Sequence, residues 1–299
     1  MPDEPDRFRG CLLGLAVGDA VGTALEFTTP GSFEPITDMV GGGPFRLEPG
    51  QWTDDTSMAL CLATSLVRQG GFDARDQMQR YCDWVETGSW SSTGRCFDIG
   101  NTVAMSLEEF GTSGNPFAGP TGERTAGNGS LMRLAPVVLF FYPDREDVIK
   151  FAAESSRTTH GAPECLDACR IMSEFLLRAL SAASQQEILT AVRGNFCSPA
   201  LQSIAELDFQ GKLRSQIRGT GYVVHCLEAA MWCFEQTTSF REAILLAANL
   251  GEDADTTAAV CGQVAGAHYG AGGIPDAWLT RLTMGDQIAA LADQLREKT

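Results

Sequence analysis

Arg9-Gly10-Cys11-Leu12-Leu13-Gly14-Leu15-Ala16-Val17-Gly18-Asp19-Ala20-Val21-Gly22 is the stretch whose reading decides the fold. Glycine recurs at every fourth position, Gly10, Gly14, Gly18 and Gly22, so on a helix the four share one face. Each glycine in a helix interior costs about 1 kcal/mol relative to alanine, and four in register need a compensating gain. Close backbone approach supplies one, because a ridge without side chains lets a second helix come near. A second ladder, Gly262, Gly266 and Gly270, lies far down the chain. Together they predict glycine-faced helices at the centre of a bundle. In a membrane such spacing would mark a dimer seam, but Asp19 and Gln263 interrupt the ladders and no long hydrophobic span is present.

The ladders would hold two acidic helix starts close together. Trp52-Thr53-Asp54-Asp55-Thr56 and Gly251-Glu252-Asp253-Ala254-Asp255-Thr256 each precede a stretch rich in Ala, Leu and Cys. The likeness continues as Ala59-Leu60-Cys61 against Ala259-Val260-Cys261. Asp and Thr are good helix N-caps, and acid in a first turn faces the positive end of the helix dipole. A shared cation site explains the same residues, since several carboxylates cannot occupy one spot without cations. Spacing alone leaves both readings open. Asp and Thr oxygens would select hard ions such as Mg²⁺ or Mn²⁺, and two divalent ions would balance Asp54, Asp55, Asp253 and Asp255.

The rest of the chain is helical in pattern. Pro163 at a first helical position leads the apolar stripe Leu166, Ile171, Met172, Phe175, Leu176, Ala179 and Leu180. Tyr222 to Phe234, Arg241 to Leu250 and Glu187 to Val192 repeat it, and β-branched alternation is nearly absent, which predicts an all-α protein. Glycine-rich loops interrupt the helices at Gly41-Gly42-Gly43-Pro44, at Gly111 to Thr125, and at Gly127-Asn128-Gly129-Ser130 before a helix expected from Leu131. The second of these is the expected mobile lid.

Bulk properties narrow the function. The 299 residues are 44% apolar and 20% charged, with no shift in composition and no linker. That predicts one large domain over residues 1–299, or two intimate halves, with a sizeable core. A net charge of -16 argues against DNA, RNA or anionic membrane as a broad-surface partner, because no basic patch is available to neutralise phosphates. A small nucleotide held by neutral donors and metal is compatible with it. The start Met1-Pro2-Asp3-Glu4-Pro5-Asp6 lacks the order of a signal peptide, and the longest apolar run, Leu134 to Tyr142, is too short for a bilayer. A cytoplasmic protein without direct membrane insertion is expected. Ten cysteines without a CxxC pair read as reduced core thiols.

Histidine is scarce. His160, His225 and His268 support neither a zinc site nor a Ser-His-Asp triad. His225 and His268 lie in helical stretches and read as structural, whereas His160 closes a helix before Gly161 and is the better site candidate. No GxxxxGK[ST] loop occurs and the glycine ladders lack strand context, so kinase and NAD-dehydrogenase readings fall away.

The ordered series Gly14-Leu15-Ala16-Val17-Gly18-Asp19-Ala20, Ala24-Leu25-Glu26-Phe27, Thr53-Asp54-Asp55-Thr56, Phe97-Asp98-Ile99-Gly100-Asn101-Thr102, Gly127-Asn128-Gly129-Ser130-Leu131-Met132-Arg133 and Asp253-Ala254-Asp255-Thr256-Thr257 resembles the ADP-ribosylglycohydrolase family. Within that family it is most similar to the branch that acts on dinitrogenase reductase, the iron protein of nitrogenase. The resemblance implies a compact orthogonal all-α bundle with a central dinuclear metal site. It makes Thr53, Asp54, Asp55, Asp253, Asp255 and Thr256 the ligands of two Mn²⁺ or Mg²⁺ ions. Glu26 and Asp98 become the catalytic acids facing the substrate, with Asp98 handling proton transfer. Asn128, Gly129, Ser130, Met132, His160 and Tyr222 would line the cleft that receives ADP-ribose. The implied activity is hydrolytic removal of ADP-ribose from an arginine of dinitrogenase reductase, in control of nitrogen fixation. An implied partner is a P-II signalling protein that sequesters the enzyme at the inner membrane.

Glu252 departs from the family pattern, which has Gly or Asp there. Other functions remain to be separated: hydrolysis of O-linked or polymeric ADP-ribose, and ADP-ribose binding without turnover. The intact acids at all four aspartate positions argue against the latter. A two-metal phosphohydrolase would need basic residues near the phosphate, and Arg133 is the one cation within these motifs.

Overall fold

The structure, a computed structural model, describes residues 2–297; Met1, Lys298 and Thr299 lie outside it. Among the described residues fourteen α-helices follow one another: α1 Glu4–Gly22, α2 Asp54–Gln69, α3 Ala74–Thr87, α4 Asn101–Ser113, α5 Ala135–Phe141, α6 Arg145–Arg157, α7 Pro163–Leu180, α8 Gln185–Ile188, α9 Pro199–Ala205, α10 Val223–Glu235, α11 Phe240–Ala248, α12 Ala254–Tyr269, α13 Asp276–Arg281 and α14 Gly285–Arg296. Strand-type pairing among them is limited to isolated bridges, Gly42 with Leu47 and Gly127 with Tyr222.

α1 and α12 form the axis of the bundle, because both are apolar on every face and must be enclosed. α1 is buried from Gly10 to Gly22, and α12 from Ala254 to Ala267. Their glycine faces meet in antiparallel register: Gly10 against Gly266, Gly14 against Gly262, Gly18 against Ala258 and Gly22 against Ala254. A Cβ on Gly14 would stand 2.2 Å from the Gly262 carbonyl oxygen, and one on Gly262 2.0 Å from that of Gly14. The helices therefore touch backbone to backbone. Helices α2, α5, α7, α10, α11 and α14 pack around the pair. α1 with the turn to Leu25 is long and apolar enough to cross a membrane, yet 89% of its most apolar window is buried in the bundle. It is a core helix.

Several local expectations shift. Gly270 ends α12 at φ 74°, yet it too lies against α1, where a Cβ on it would stand 2.1 Å from Asp6 Oδ2. The helix expected from Leu131 starts at Ala135, because Leu131 and Met132 both donate backbone N–H bonds to the Asn128 carbonyl, at 2.8 and 3.1 Å, and wind the segment into turns. The Glu187 to Val192 pattern shrinks to the single turn of α8. The expected lid divides: Gly111 to Ser113 belong to α4, and Gly119 N–H donates to the Arg157 carbonyl while Gly161 N–H donates to that of Pro120. Its middle is thus tied to the end of α6. All ten cysteines are free thiols.

Candidate active site

The start of α2 is capped from another helix. Asp19 on α1 accepts from Thr53 N and Thr53 Oγ1 through Oδ1, both at 2.9 Å. Its Oδ2 accepts from Thr56 N at 3.1 Å and Thr56 Oγ1 at 2.6 Å. These N–H groups are the orphan donors that an N-cap side chain would otherwise satisfy. Asp54 and Asp55 are left without a capping role. At α12, Asp253 occupies the N-cap position, but its Oδ2 accepts from Asn128 Nδ2 at 2.6 Å instead of capping the helix. Independent capping accounts for neither acidic cluster.

The ladder contact brings the two starts face to face. Thr53 Oγ1 stands 3.4 Å from Asp55 Oδ2 and from Asp255 Oδ2. Thr256 Oγ1 likewise stands 3.4 Å from Asp55 Oδ2 and Asp253 Oδ1. Thr53 gives its hydroxyl proton to Asp19, so its lone pairs face the acids. Such separations are long for O–H···O bonds and nearer the roughly 3 Å between oxygens that share a small octahedral ion. Carboxylate oxygens of Glu26, Asp98 and Asp255 also lie within 4.8 Å of one another. The acids read from the sequence as lying outside the clusters thus join them.

Electrostatics makes this arrangement costly without cations. Burial is the leading cause of a raised pKa at Asp19, Glu26, Asp54, Asp55, Asp98, Asp253 and Asp255, with repulsion from neighbouring carboxylates adding to it at most of them. Asp19 is pushed up to about 6, Asp98 to about 8 and Glu26 to about 9. Asp54, Asp55 and Asp255 rise well above the carboxylate range. The Asp98 charge beside it adds to the rise at Glu26. Asp55 Oδ1, Asp255 Oδ1 and Glu26 Oε2 are buried without a hydrogen-bond partner. Unpartnered buried oxygens, all-oxygen donors and excess negative charge fit hard divalent cations.

Above the acids opens a cleft of about 570 Å³, a size that suits a small-molecule ligand. Asp54, Asp98, Glu26, Asp253, Asp255 and Thr256 line it. Asn128, Gly129, Met132 and His160 belong to the same lining. Thr53 and Asp55 are fully buried and lie outside the exposed lining. Ser130, expected in the lining, points away from it: its Oγ is buried and accepts from Ser156 Oγ at 2.8 Å. Tyr222 lines two adjoining cavities, and its hydroxyl donates to Glu164 at 2.8 Å.

Three features of the rim were not read from the sequence. Phe27 is 68% exposed at the cleft mouth. Phe27 and Glu252 both adopt left-handed backbone, at φ 59° and 57°, which costs bulky residues on the order of 1–2 kcal/mol. Two backbone bonds hold them there, Phe27 N to Glu252 O at 2.6 Å and Glu252 N to Thr28 O at 2.8 Å. The Glu252 carboxylate is forked by Arg218, which neutralises the unexpected acid. Asp19 itself could have been found as the one acid inside an apolar glycine ladder.

His160 is buried and its pKa is lowered to about 3, by desolvation first and by the Arg133 charge second. Its folded pKa lies below the unfolded value, so the stability it confers is fully present above about pH 6.5 and is lost as pH falls toward 3. The stability difference between wild type and His160→Gln should therefore shrink by about 1.4 kcal/mol per unit below pH 6. Urea denaturation at pH 7, 6 and 5 measures it; a constant difference would show that the ring is charged or exposed.

The geometry acquires a family when the whole chain is compared with known proteins. The ADP-ribosylglycohydrolase family profile matches residues 1–299. The chain belongs to the ADP-ribosylglycohydrolase family. It is 45% identical over 294 residues to the ADP-ribosylarginine hydrolase Tri1 of Pseudomonas putida (strain GB-1), covering 98% of this chain and 78% of that protein. The ADP-ribosyl-[dinitrogen reductase] glycohydrolase of Rhodospirillum rubrum is 32% identical over 287 residues, covering 95% and 92%. A solved structure described as an ADP-ribosylglycohydrolase-related protein complex superposes with a TM-score of 0.88 at 43% identity, covering 100% of this chain and 99% of that one. The family's helical fold is thus shared over the full length. The Tri1 likeness exceeds that to the nitrogenase-directed relative, to which the motifs had pointed.

Proposed function

We propose that this family member hydrolyses the N-glycosidic bond between ADP-ribose and an arginine side chain. The observation that carries the reading is the convergence of seven carboxylates, five of which line a ligand-sized cleft. The likeness to Tri1 supports arginine as the acceptor. Thr53, Asp54, Asp55, Asp253, Asp255 and Thr256 would hold two divalent cations, Mn²⁺ or Mg²⁺. When bound, the cations neutralise these acids and act as Lewis acids toward ribose oxygens.

The chain's own residues supply the rest. Departure of the arginine leaves positive charge at the anomeric carbon, which the carboxylates of Asp98 and Glu26 stabilise. With one of the two protonated and the other ionised, one acts as acid while the other accepts a proton from the attacking water. Water gives its hydroxyl to the anomeric carbon and the departing nitrogen regains a proton. The acid-lined mouth and the exposed Phe27 ring suit a guanidinium, which binds carboxylates and aromatic faces. Asn128 is fixed by Asp253 and, with Gly129, borders the space for ADP-ribose.

Asp98→Asn should lower kcat by about 10²- to 10⁴-fold while ADP-ribose affinity changes little. Full turnover in that variant would remove the proposed role. The reaction class is tested by release of arginine from an ADP-ribosyl-arginine peptide, beside a serine-linked conjugate, with Mn²⁺, Mg²⁺ or chelator. Faster release from the serine conjugate would favour the O-linked alternative. Dinitrogenase reductase is the second substrate to assay, on the strength of the Rhodospirillum rubrum relative. Cytoplasmic location and capture by a P-II protein at the inner membrane belong to the same reading and rest on the resemblance; cell fractionation and pull-down test them.

A further inference from the structure

Behind His160, which lines the cleft, a chain of hydrogen bonds sets where the ring carries its proton. Arg133 is 1% exposed, yet no carboxylate pairs with it among the described residues. Its Nη1 donates to the Gly129 carbonyl at 2.8 Å, and Nη2 to Thr159 Oγ1 at 2.8 Å and Ser155 O at 3.3 Å. The guanidinium lies 5.0 Å from the Tyr81 ring centroid. A buried cation held only by neutral groups is costly to keep, which points to a use for its charge.

Thr159 Oγ1 stands 2.8 Å from His160 Nδ1. A hydroxyl has one proton to give and two lone pairs to accept with. Arg133 already donates to this oxygen, and no other acceptor for the Thr159 proton is present among the described residues. The proton therefore goes to Nδ1. The opposite assignment would aim two donors at one oxygen and leave a buried hydroxyl proton without an acceptor. With Nδ1 accepting on a neutral ring, the ring proton sits on Nε2. Nε2 faces the loop glycines: a Cβ on Gly129 would lie 3.0 Å from it and one on Gly127 3.3 Å. Their lack of side chains keeps Nε2 open, and His160 borders the cleft.

We propose that Arg133 and Thr159 are positioning residues that hold His160 as an Nε2–H donor aimed into the cleft, where it binds an anionic oxygen of the ADP-ribose diphosphate. The inference rests on the functional reading above for its ligand, though not for its tautomer. It also gives the cleft a polarity. Its lining contains no Lys or Arg among the described residues, so the polarised Arg133–Thr159–His160 chain makes the His160 part of the lining the one suited to an anion.

Three histidines make the tautomer directly observable by ¹⁵N NMR, with the His160 resonances assigned by their loss in His160→Gln. The wild type should show a neutral ring protonated at Nε2. Arg133→Met removes several buried contacts at once, so the threonine carries the test. Thr159→Val should lose the single tautomer and weaken ADP-ribose binding about tenfold by calorimetry, raising KM by a like factor with kcat within about threefold. Thr159→Ser should restore both tautomer and affinity. A wild-type ring protonated at Nδ1, or a folded Thr159→Val protein that binds ADP-ribose as tightly as wild type, overturns the proposal. Failure of the wild type to bind ADP-ribose overturns the functional reading and the ligand assigned to Nε2–H, while the NMR result still decides the relay.

Discussion

Gly14→Ala is expected to cost about 3 kcal/mol or more, at the upper end of what overpacking a core does. The added methyl would stand 2.2 Å from a carbonyl oxygen of the facing helix and 3.1 Å from the Gly266 Cα. Both neighbours are backbone, so no side chain can rotate away. α1 and α12 must separate, and they carry Asp19 and Asp255. The substitution should therefore lower Tm by roughly 5–10 °C and also weaken any stabilisation by added Mn²⁺. Gly262→Ala should do the same, since the contact is reciprocal at 2.0 Å. Gly111→Ala is the control: it lies within α4 with nothing within 4 Å of its added Cβ and should be neutral or stabilise by about 0.5–1 kcal/mol. Differential scanning fluorimetry of the three variants decides it. A Gly14→Ala protein as stable as wild type would mean that the helices do not meet through their backbones.

Chelation is expected to abolish turnover and to lower Tm on the order of 10 °C at pH 8, given a cation held at about a thousandfold above its Kd. The loss should be much smaller at pH 5. The sign follows from carboxylates whose folded pKa lies above the unfolded value near 4. Their favourable contribution is complete below that value and disappears as pH rises through the folded values of about 6 at Asp19, 8 at Asp98 and 9 at Glu26. Metal-free protein should thus weaken from acid to mildly alkaline pH, while cations, which bind the ionised acids, stabilise it more as pH rises. Asp55→Asn should raise the Tm of chelated protein at pH 8, because it removes a buried repelling charge. The same change should erase the increment from Mn²⁺. If chelated wild type and Asp55→Asn melted together at pH 8, the crowded acids would not be charged in the folded protein and the cation argument would lose its basis.

These two expectations differ in how far the sequence foreshadowed them. Glycine spacing on two helices is a local pattern, and it predicts their contact. The crowding at Asp55 needs more, because capping explains the same residues equally well in the sequence, and only the packing puts Asp19 of α1 in that role. Glu26 and Asp98 lie outside both clusters in the sequence, yet their carboxylates come within 4.8 Å of that of Asp255. Ser130 was expected in the lining because its neighbours Asn128 and Gly129 are there, but the turn that delays α5 to Ala135 rotates its hydroxyl toward Ser156.

By itself the sequence determined the helical class, the backbone contact at the centre and the residue types gathered at the two acidic helix starts. Those properties follow from periodicity and from side-chain size, which act over a few residues. Only the tertiary structure decided which oxygen caps which helix, which acids crowd together, and that Arg133 reaches His160 through Thr159. A buried polar atom must take whatever partner the packing brings within about 3 Å. Asp19 and Thr53, or Asn128 and Asp253, become partners only after the α1–α12 contact has closed the distance between them.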